Sequence, residues 1–389
     1  MLKKNRLVFI SFLKFVLLFF CFFPFIGFNI GTDTQPFALL AAFLLLLLNK
    51  NKIKIYGRSC LLILLFVLIP MSIVSILLIG PLAVFKRLFS YLSIIIIPLA
   101  VYNSFNKQSY YEHLIKAFII VWFVVGLIQT FITPSFLTFM IPLYRTTTNR
   151  GVSGLASEPS FYGYMCLFFI IIAFRFKRHK ALFVVLNIIQ IVFFAQSTVS
   201  LIYLAIMVMA YVFYALTSLR PRHYLLVFIL LVAGVIGITL ITRVLKDSRI
   251  SHLIIQALED PSFLILKDES VSARIDALAF SFSSYGLLNP IGKETIMSGF
   301  GGVFYELGFL SIVLFVFVLR PVYKSYNSRA MRIIVTTTLA ISMFSAINLS
   351  SPLLGYIVGM AMIYAKQREY HIVRSTIKEQ VGQQVVLGV

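Results

Sequence analysis

Charge is scarce in this chain, and acid is the scarcer sign. Only 12% of the 389 residues are charged, and Asp and Glu together number 13. Soluble domains carry about 25% charged residues, so a chain that faces water over its whole length is excluded. Cysteine occurs three times. Cys21, Cys60 and Cys166 all fall in apolar stretches, which leaves no disulfide framework and no zinc spacing. No Walker loop, dinucleotide fingerprint or Ser-His-Asp pattern is present, and no metal-ligand cluster. These absences count against a cofactor and against ATP or a nucleotide sugar as substrate. The alternation of barrel strands is missing as well, so a spanning backbone must satisfy its polar groups as helices.

Apolar stretches are what the chain has in excess. Hydrophobic residues make up 60% of it, and mean hydropathy is +0.98. Runs of about 20 such residues each cross the hydrocarbon core as a helix. The pattern predicts spans near 7–28, 36–48, 59–80, 88–102, 117–133, 159–174, 181–196, 199–216, 224–242, 300–319, 333–349 and 353–365. The N-terminal Met-Leu-Lys-Lys-Asn-Arg followed by an apolar run resembles a signal peptide, but no small-residue cleavage site follows, so it reads as an uncleaved first helix. The expected fold is an all-α polytopic membrane protein. It has about 12 transmembrane helices in one domain over 1–389, both termini cytoplasmic, and a basic tail at 366–389.

Lys and Arg number 34 and the net charge is +21. Cytoplasmic loops concentrate such residues. With the N-terminus inside, every strongly basic short loop falls on one side, so most of the charge is an orientation signal. It gives no support to a nucleic-acid partner, since no soluble basic domain or stacking platform is visible. Ten cations nonetheless fall outside: Lys86, Arg87, Arg145, Arg150, Arg243, Lys246, Arg249, Lys267, Arg274 and Lys293. Cations kept on the side where they are normally sparse imply an anionic ligand.

Two outside loops, 134–158 and 243–298, are longer than a bundle needs, and long ordered loops usually carry function. The second holds seven of the 13 acids. Within it Val271, Ile275, Leu278, Ala279 and Phe282 recur at helical spacing, with Arg274 and Asp276 projecting elsewhere. Residues 289–292, Asn-Pro-Ile-Gly, signal a turn. Gly299-Phe-Gly-Gly302 suits a tight re-entry into the bundle.

The residues with chemistry lie in these loops. Arg145 and Arg150 have guanidinium groups that fork onto phosphate oxygens, or else contact lipid headgroups. Their loop also holds Glu158, which precedes Pro159 at the start of the sixth span. Pro suits a first helical position, and the helix N-terminus favours a carboxylate there. Glu158 therefore reads either as a helix-start carboxylate or as a base toward a hydroxyl. Arg274 has Asp276 as a competing ion-pair partner. Lys86 and Arg87 stand at the outer end of the fourth span, and Arg243, Arg249 and His252 at the start of the large loop. His252 is the one histidine placed outside, and its unperturbed pKa lies near neutrality. Glu306 falls inside the tenth span, where a carboxylate is costly and usually meaningful.

The segments RGVSGLASEPSFYG (150–163), SVSARIDALAFSFSSYGLLNPIG (270–292) and FYELG (304–308) give the chain a pattern that resembles the Wzy-type polymerases of bacterial O-antigen and capsular polysaccharide. The span number and the two enlarged outside loops agree, over nearly the whole chain. The resemblance implies a GT-C-like bundle in the bacterial inner membrane and a repeat-unit glycan linked to undecaprenyl pyrophosphate. The implied reaction passes the growing glycan from one carrier onto the next unit, with membrane lipid, a flippase and a chain-length regulator as partners. By position Arg150 and Arg274 match the family's pyrophosphate-holding arginines best, with Arg145, Lys86 and Arg249 looser. The O-antigen ligases share this layout, but His252 lies earlier than a ligase histidine would. A flippase of lipid-linked oligosaccharide is a third reading. It needs charges along a central cavity, and the spans hold few polar residues: Lys14, Gln129, Gln190 and Glu306.

Overall fold

The structure is a computed structural model that describes residues 2–28, 32–49, 53–105, 108–145, 151–217, 228, 232, 251–252, 255–256, 259–260, 269–283, 289–294, 296, 298–343 and 350–387. Its regular elements among these residues are all helical. They are α1 (Leu2–Phe22), α2 (Phe37–Leu48), α3 (Arg58–Ile79), α4 (Pro81–Ser104), α5 (Gln108–Phe131), α6 (Pro159–Ala173), α7 (Lys180–Ile189), α8 (Thr198–Thr217), α9 (Glu269–Ser283), α10 (Gly299–Leu307), α11 (Ser311–Ser325), α12 (Arg329–Met343) and α13 (Pro352–Leu387). Short 3-10 turns cover Thr138–Met140 and Gly308–Leu310, and a π turn, Gln190–Ala195, continues α7.

Six described segments are long and apolar enough to cross a membrane: Asn5–Phe22, Arg58–Ile79, Pro81–Ser104, Tyr111–Phe131, Thr198–Thr217 and Gly299–Ser325. Their sides are arranged for a solvent that is itself apolar. On α3, Leu62, Phe66, Ile69, Ile73 and Leu77 face outward, with Phe66 and Leu77 each 81% exposed. Leu61, Leu64, Leu68, Ser72 and Ser75 face inward. The inward hydroxyls are satisfied within the helix, Ser75 Oγ donating to Met71 O at 2.6 Å. Lipid is as apolar as leucine, so small polar residues such as Ser72 and Ser75 share the helix contacts with Leu61, Leu64 and Leu68.

Helix α4 is the hub, packed against α2, α3 and α13. Its seam with α13 depends on Gly355 and Gly359, four residues apart. A Cβ on Gly359 would lie 2.6 Å from Val101 Cβ and 2.7 Å from Pro98 O, so only glycine lets these backbones meet. Trp122 sits in the core, its indole donating to Phe22 O at 3.0 Å and its ring stacked on Tyr162 of α6.

The basic connections gather at one end of the bundle. Arg6 donates to Leu48 O, Lys54 N to Asn103 Oδ1, Lys116 to Arg178 O and Arg368 to Tyr326 O. Gly27, Asp33, Thr34, Met140, Arg145, Ser157 and Ser350 meet at the other end.

Several expected boundaries move. The fourth span starts at Pro81, not 88, because Gly80 (φ +90°) turns the chain and Pro81 opens the helix at once. Lys86 and Arg87 are therefore helical residues, not a flank. The stretch 103–116, expected as a polar loop, is largely the start of α5. The tenth span is two helices, broken where Gly308 takes φ +53°. The twelfth continues as helix to Leu387, through what reads as a tail. The ninth span, 224–242, lies almost wholly outside the described residues.

Candidate functional site

Two polar clusters occupy the end of the bundle opposite the basic loops. The first is built on the loop 134–158, whose last part, 151–158, folds down between helix ends. Gln129 on α5 clamps it. Its amide donates to Gly154 O at 2.9 Å and to Phe136 O at 2.7 Å, and its oxygen accepts from Gly154 N at 2.7 Å. Gly154 adopts φ +58°, a left-handed conformation that glycine takes at little cost. Val152 N donates to Phe194 O at 2.8 Å, so the loop is also fastened to the π turn. That turn lies over a buried chain of amides, where Gln190 accepts from Tyr162 at 2.9 Å and donates to Asn187 at 3.0 Å. Such π turns recur at functional sites.

The clamp delivers Glu158. It caps α6 from an extended backbone, with Pro159 at the first helical position as the sequence predicts, and Ser160 donates to its Oε1. Arg145 lies alongside, because its backbone N donates to Ser157 O at 2.7 Å. Its guanidinium is 56% exposed and pairs with Asp33 at 2.6 Å. Below them Ser153, Ser157 and Gln35 are buried. The two serine hydroxyls and the Gln35 amide have no hydrogen-bond partner among the described residues. Polar groups so placed are suited to a hydroxyl-rich ligand or to water.

The second cluster centres on Glu306, 2% exposed at the end of α10. Arg87 Nε on α4 donates to its two oxygens at 2.8 and 3.0 Å. Tyr91, one turn on, donates to Oε2, and Gly292 N donates to Oε1 at 3.0 Å. Gly292 could be no other residue: φ is +83° and a Cβ would lie 2.8 Å from Ala83 O. The turn 289–292 that the sequence predicts is pinned here, with Ile291 N donating to Ser75 Oγ at 2.7 Å and Asn289 to Tyr305 O at 3.0 Å. Glu306 and Ser75 thus tie the segment 289–292 to α4 and α3. Arg87 Nη2 is buried without a hydrogen bond among the described residues, 2.7 Å from where a Gly302 Cβ would stand.

The predicted site residues divide accordingly. Arg145 is joined to the Glu158 segment through the backbone at Ser157, its guanidinium turning to Asp33, and Arg87 is placed in the second cluster. Lys86 is exposed beside it. His252 is exposed. Arg274 lies half-buried on α9, the helix whose Ser281 packs against Gly301 of α10. Ile275 and Phe282 are 40% and 53% exposed while Arg274 is half-buried and Ser281 buried, since apolar side chains favour lipid and polar ones favour the bundle. Arg150, Arg243 and Arg249 lie outside the described residues. Asp33, Gln35, Gln129 and Tyr91 were not among the predicted site residues. A lone acid in a short polar turn and a glutamine within an apolar run are the only marks the sequence offered.

No protein-family model matches this chain, and neither a curated protein nor a solved structure matches it. Fold and composition define its class as an all-helical protein embedded in a membrane.

Proposed function

We propose that this chain is a Wzy-type polymerase of the bacterial inner membrane, extending undecaprenyl-pyrophosphate-linked glycan on the outer face. The observation that carries the reading is the first cluster: the folded-in segment 151–158 ends at Glu158, and Arg145 is held next to it through its backbone bond to Ser157 O, at the end of the bundle away from the basic loops. In the proposed step an acceptor sugar hydroxyl attacks the anomeric carbon of the donor glycan. The bond from that carbon to the pyrophosphate oxygen breaks, and undecaprenyl pyrophosphate leaves with the electron pair. Glu158 takes the hydroxyl proton. Arg145, Arg150 and Arg274 stabilise the departing charge electrostatically. Arg87 joins them from α4, oriented by Glu306. The donor is already activated, so the chemistry requires no nucleotide.

The test is a surface-glycan gel from a deletion strain carrying wild-type protein or Arg150→Ala, Glu158→Ala or Arg274→Ala at matched expression. Single repeat units in the deletion and the variants, with a ladder restored by wild type, are expected. Lipid-linked polymer that never reaches the surface acceptor would instead identify a ligase. Single lipid-linked units held on the cytoplasmic face would identify a flippase, and either result overturns the proposal.

A further inference from the structure

The basic end of the bundle holds a cavity of about 220 Å³ between α3 and α11. One water needs only about 10–15 Å³ of such space, so the cavity takes a larger group. Its α3 wall is Tyr56, Gly57 and Cys60, and its α11 wall includes Val316, Arg320 and Lys324. Pro321 lies inside α11, and its ring removes the donor that would serve the carbonyl of Phe317. Phe317 also lines the cavity, so α11 is locally open on this side.

The charge balance favours an anion. Arg320 is exposed. Lys324 pairs with Glu369 at 2.8 Å, but both partners are well exposed, 38% and 51%. Exposed pairs of this kind contribute little, so Lys324 can exchange Glu369 for another anion cheaply. Lys366 stands over the Tyr102 ring at 5.6 Å, and that ring lies against Tyr56. Burial raises the Tyr56 pKa above its usual value, Glu369 acts in the same direction and Arg320 opposes it. The phenol therefore stays protonated and donates. Above the cavity, Leu62 and Ile63 on α3 and Ile312 and Val316 on α11 are exposed apolar side chains, a continuous path for hydrocarbon.

We propose that this cavity binds the phosphate headgroup of an anionic membrane phospholipid, with Arg320, Lys324 and Tyr56 on the phosphate and the acyl chains along α3 and α11. A headgroup is favoured over free phosphate because the polar cavity opens directly onto those lipid-facing side chains. The leaflet facing basic loops is also the one rich in anionic lipid. The proposal is independent of the polymerase reading.

The test is native mass spectrometry of the full chain in detergent with phosphatidylglycerol or phosphatidylcholine added. Wild type is expected to retain one phosphatidylglycerol under activation that strips phosphatidylcholine. Each cation near such a headgroup contributes about fivefold, so the Arg320→Ala/Lys324→Ala double variant loses retention by about 25-fold. Glu369→Gln, which removes a competing anion, gains retention. Arg178→Ala, a basic residue exposed elsewhere on the same end, leaves it unchanged. Val316→Trp fills the groove with every charge kept and is expected to lose retention, which decides the matter if the double variant does not fold. Equal retention of phosphatidylcholine, or wild-type retention by both the double variant and Val316→Trp, would overturn the proposal. So would displacement of the lipid by inorganic phosphate, which would mark a free-anion site.

Discussion

Removing the Glu306 carboxylate should destabilise the protein more than any other single charge change among its described residues. Glu306→Ala leaves Arg87 Nε, the Tyr91 hydroxyl and Gly292 N without their acceptor. Breaking a buried pair from one side costs about 3–5 kcal/mol. Each neutral donor orphaned with it adds about 1–3 kcal/mol. Arg87 retains 18% exposure, so its guanidinium can swing partly toward the interface, which places the ion-pair loss near about 3 kcal/mol and, with the two neutral donors, the total near about 5 kcal/mol at the low end. The Arg87→Met/Glu306→Leu double variant removes both charges and should recover about 2 kcal/mol of that, since apolar replacement of a buried pair is often neutral. The assay is unfolding in mixed micelles followed by the fluorescence of Trp122, the chain's single tryptophan, buried at the core. A Glu306→Ala loss below about 1 kcal/mol, or a double variant that is merely additive, would refute the reasoning. If the double variant folds but makes no polymer, Arg87 serves the substrate and not only the fold.

Gly292→Ala should cost about 1–2 kcal/mol from its left-handed backbone, plus the clash with Ala83 O, read in the same unfolding assay. Gln129→Leu should free the segment 151–158, leaving Gly154 N without its partner, so a cysteine placed at Ser157 should become reactive to a membrane-impermeant thiol reagent while staying protected in the wild type. Arg145→Ala removes an exposed pair and should change stability by less than about 1 kcal/mol; polymer yield should nonetheless collapse, and unchanged yield would remove Arg145 from the site.

Much of the frame was legible because lipid imposes a strong and simple rule on sequence. Backbone groups in hydrocarbon must be satisfied within the segment, so long apolar runs had to become helices, and α3 and α8 begin and end within about two residues of the expected positions. The start of α6 was also legible, since Glu158 and Pro159 carry their own local signal. Local chemistry also marked the turn at 289–292 and the glycines that open α10. Helix faces were less legible. Amphipathic periodicity marked two faces on α9 but did not say which one meets lipid. The GxxxG spacing of Gly355 and Gly359 was in plain view, but only the approach of α4 gives it meaning.

By itself the sequence determined that this protein is helical and membrane-embedded, that its basic loops group together, and that cations persist away from them. Those properties follow from composition and from interactions within a few residues, which no distant contact needs to decide. Only the tertiary structure decided which side chains meet. Arg87 and Glu306 are 219 residues apart, and Asp33 and Arg145 are 112 apart. The sequence could mark Glu306 as costly without saying what offsets the cost, because the partner of a buried charge is chosen by how helices pack.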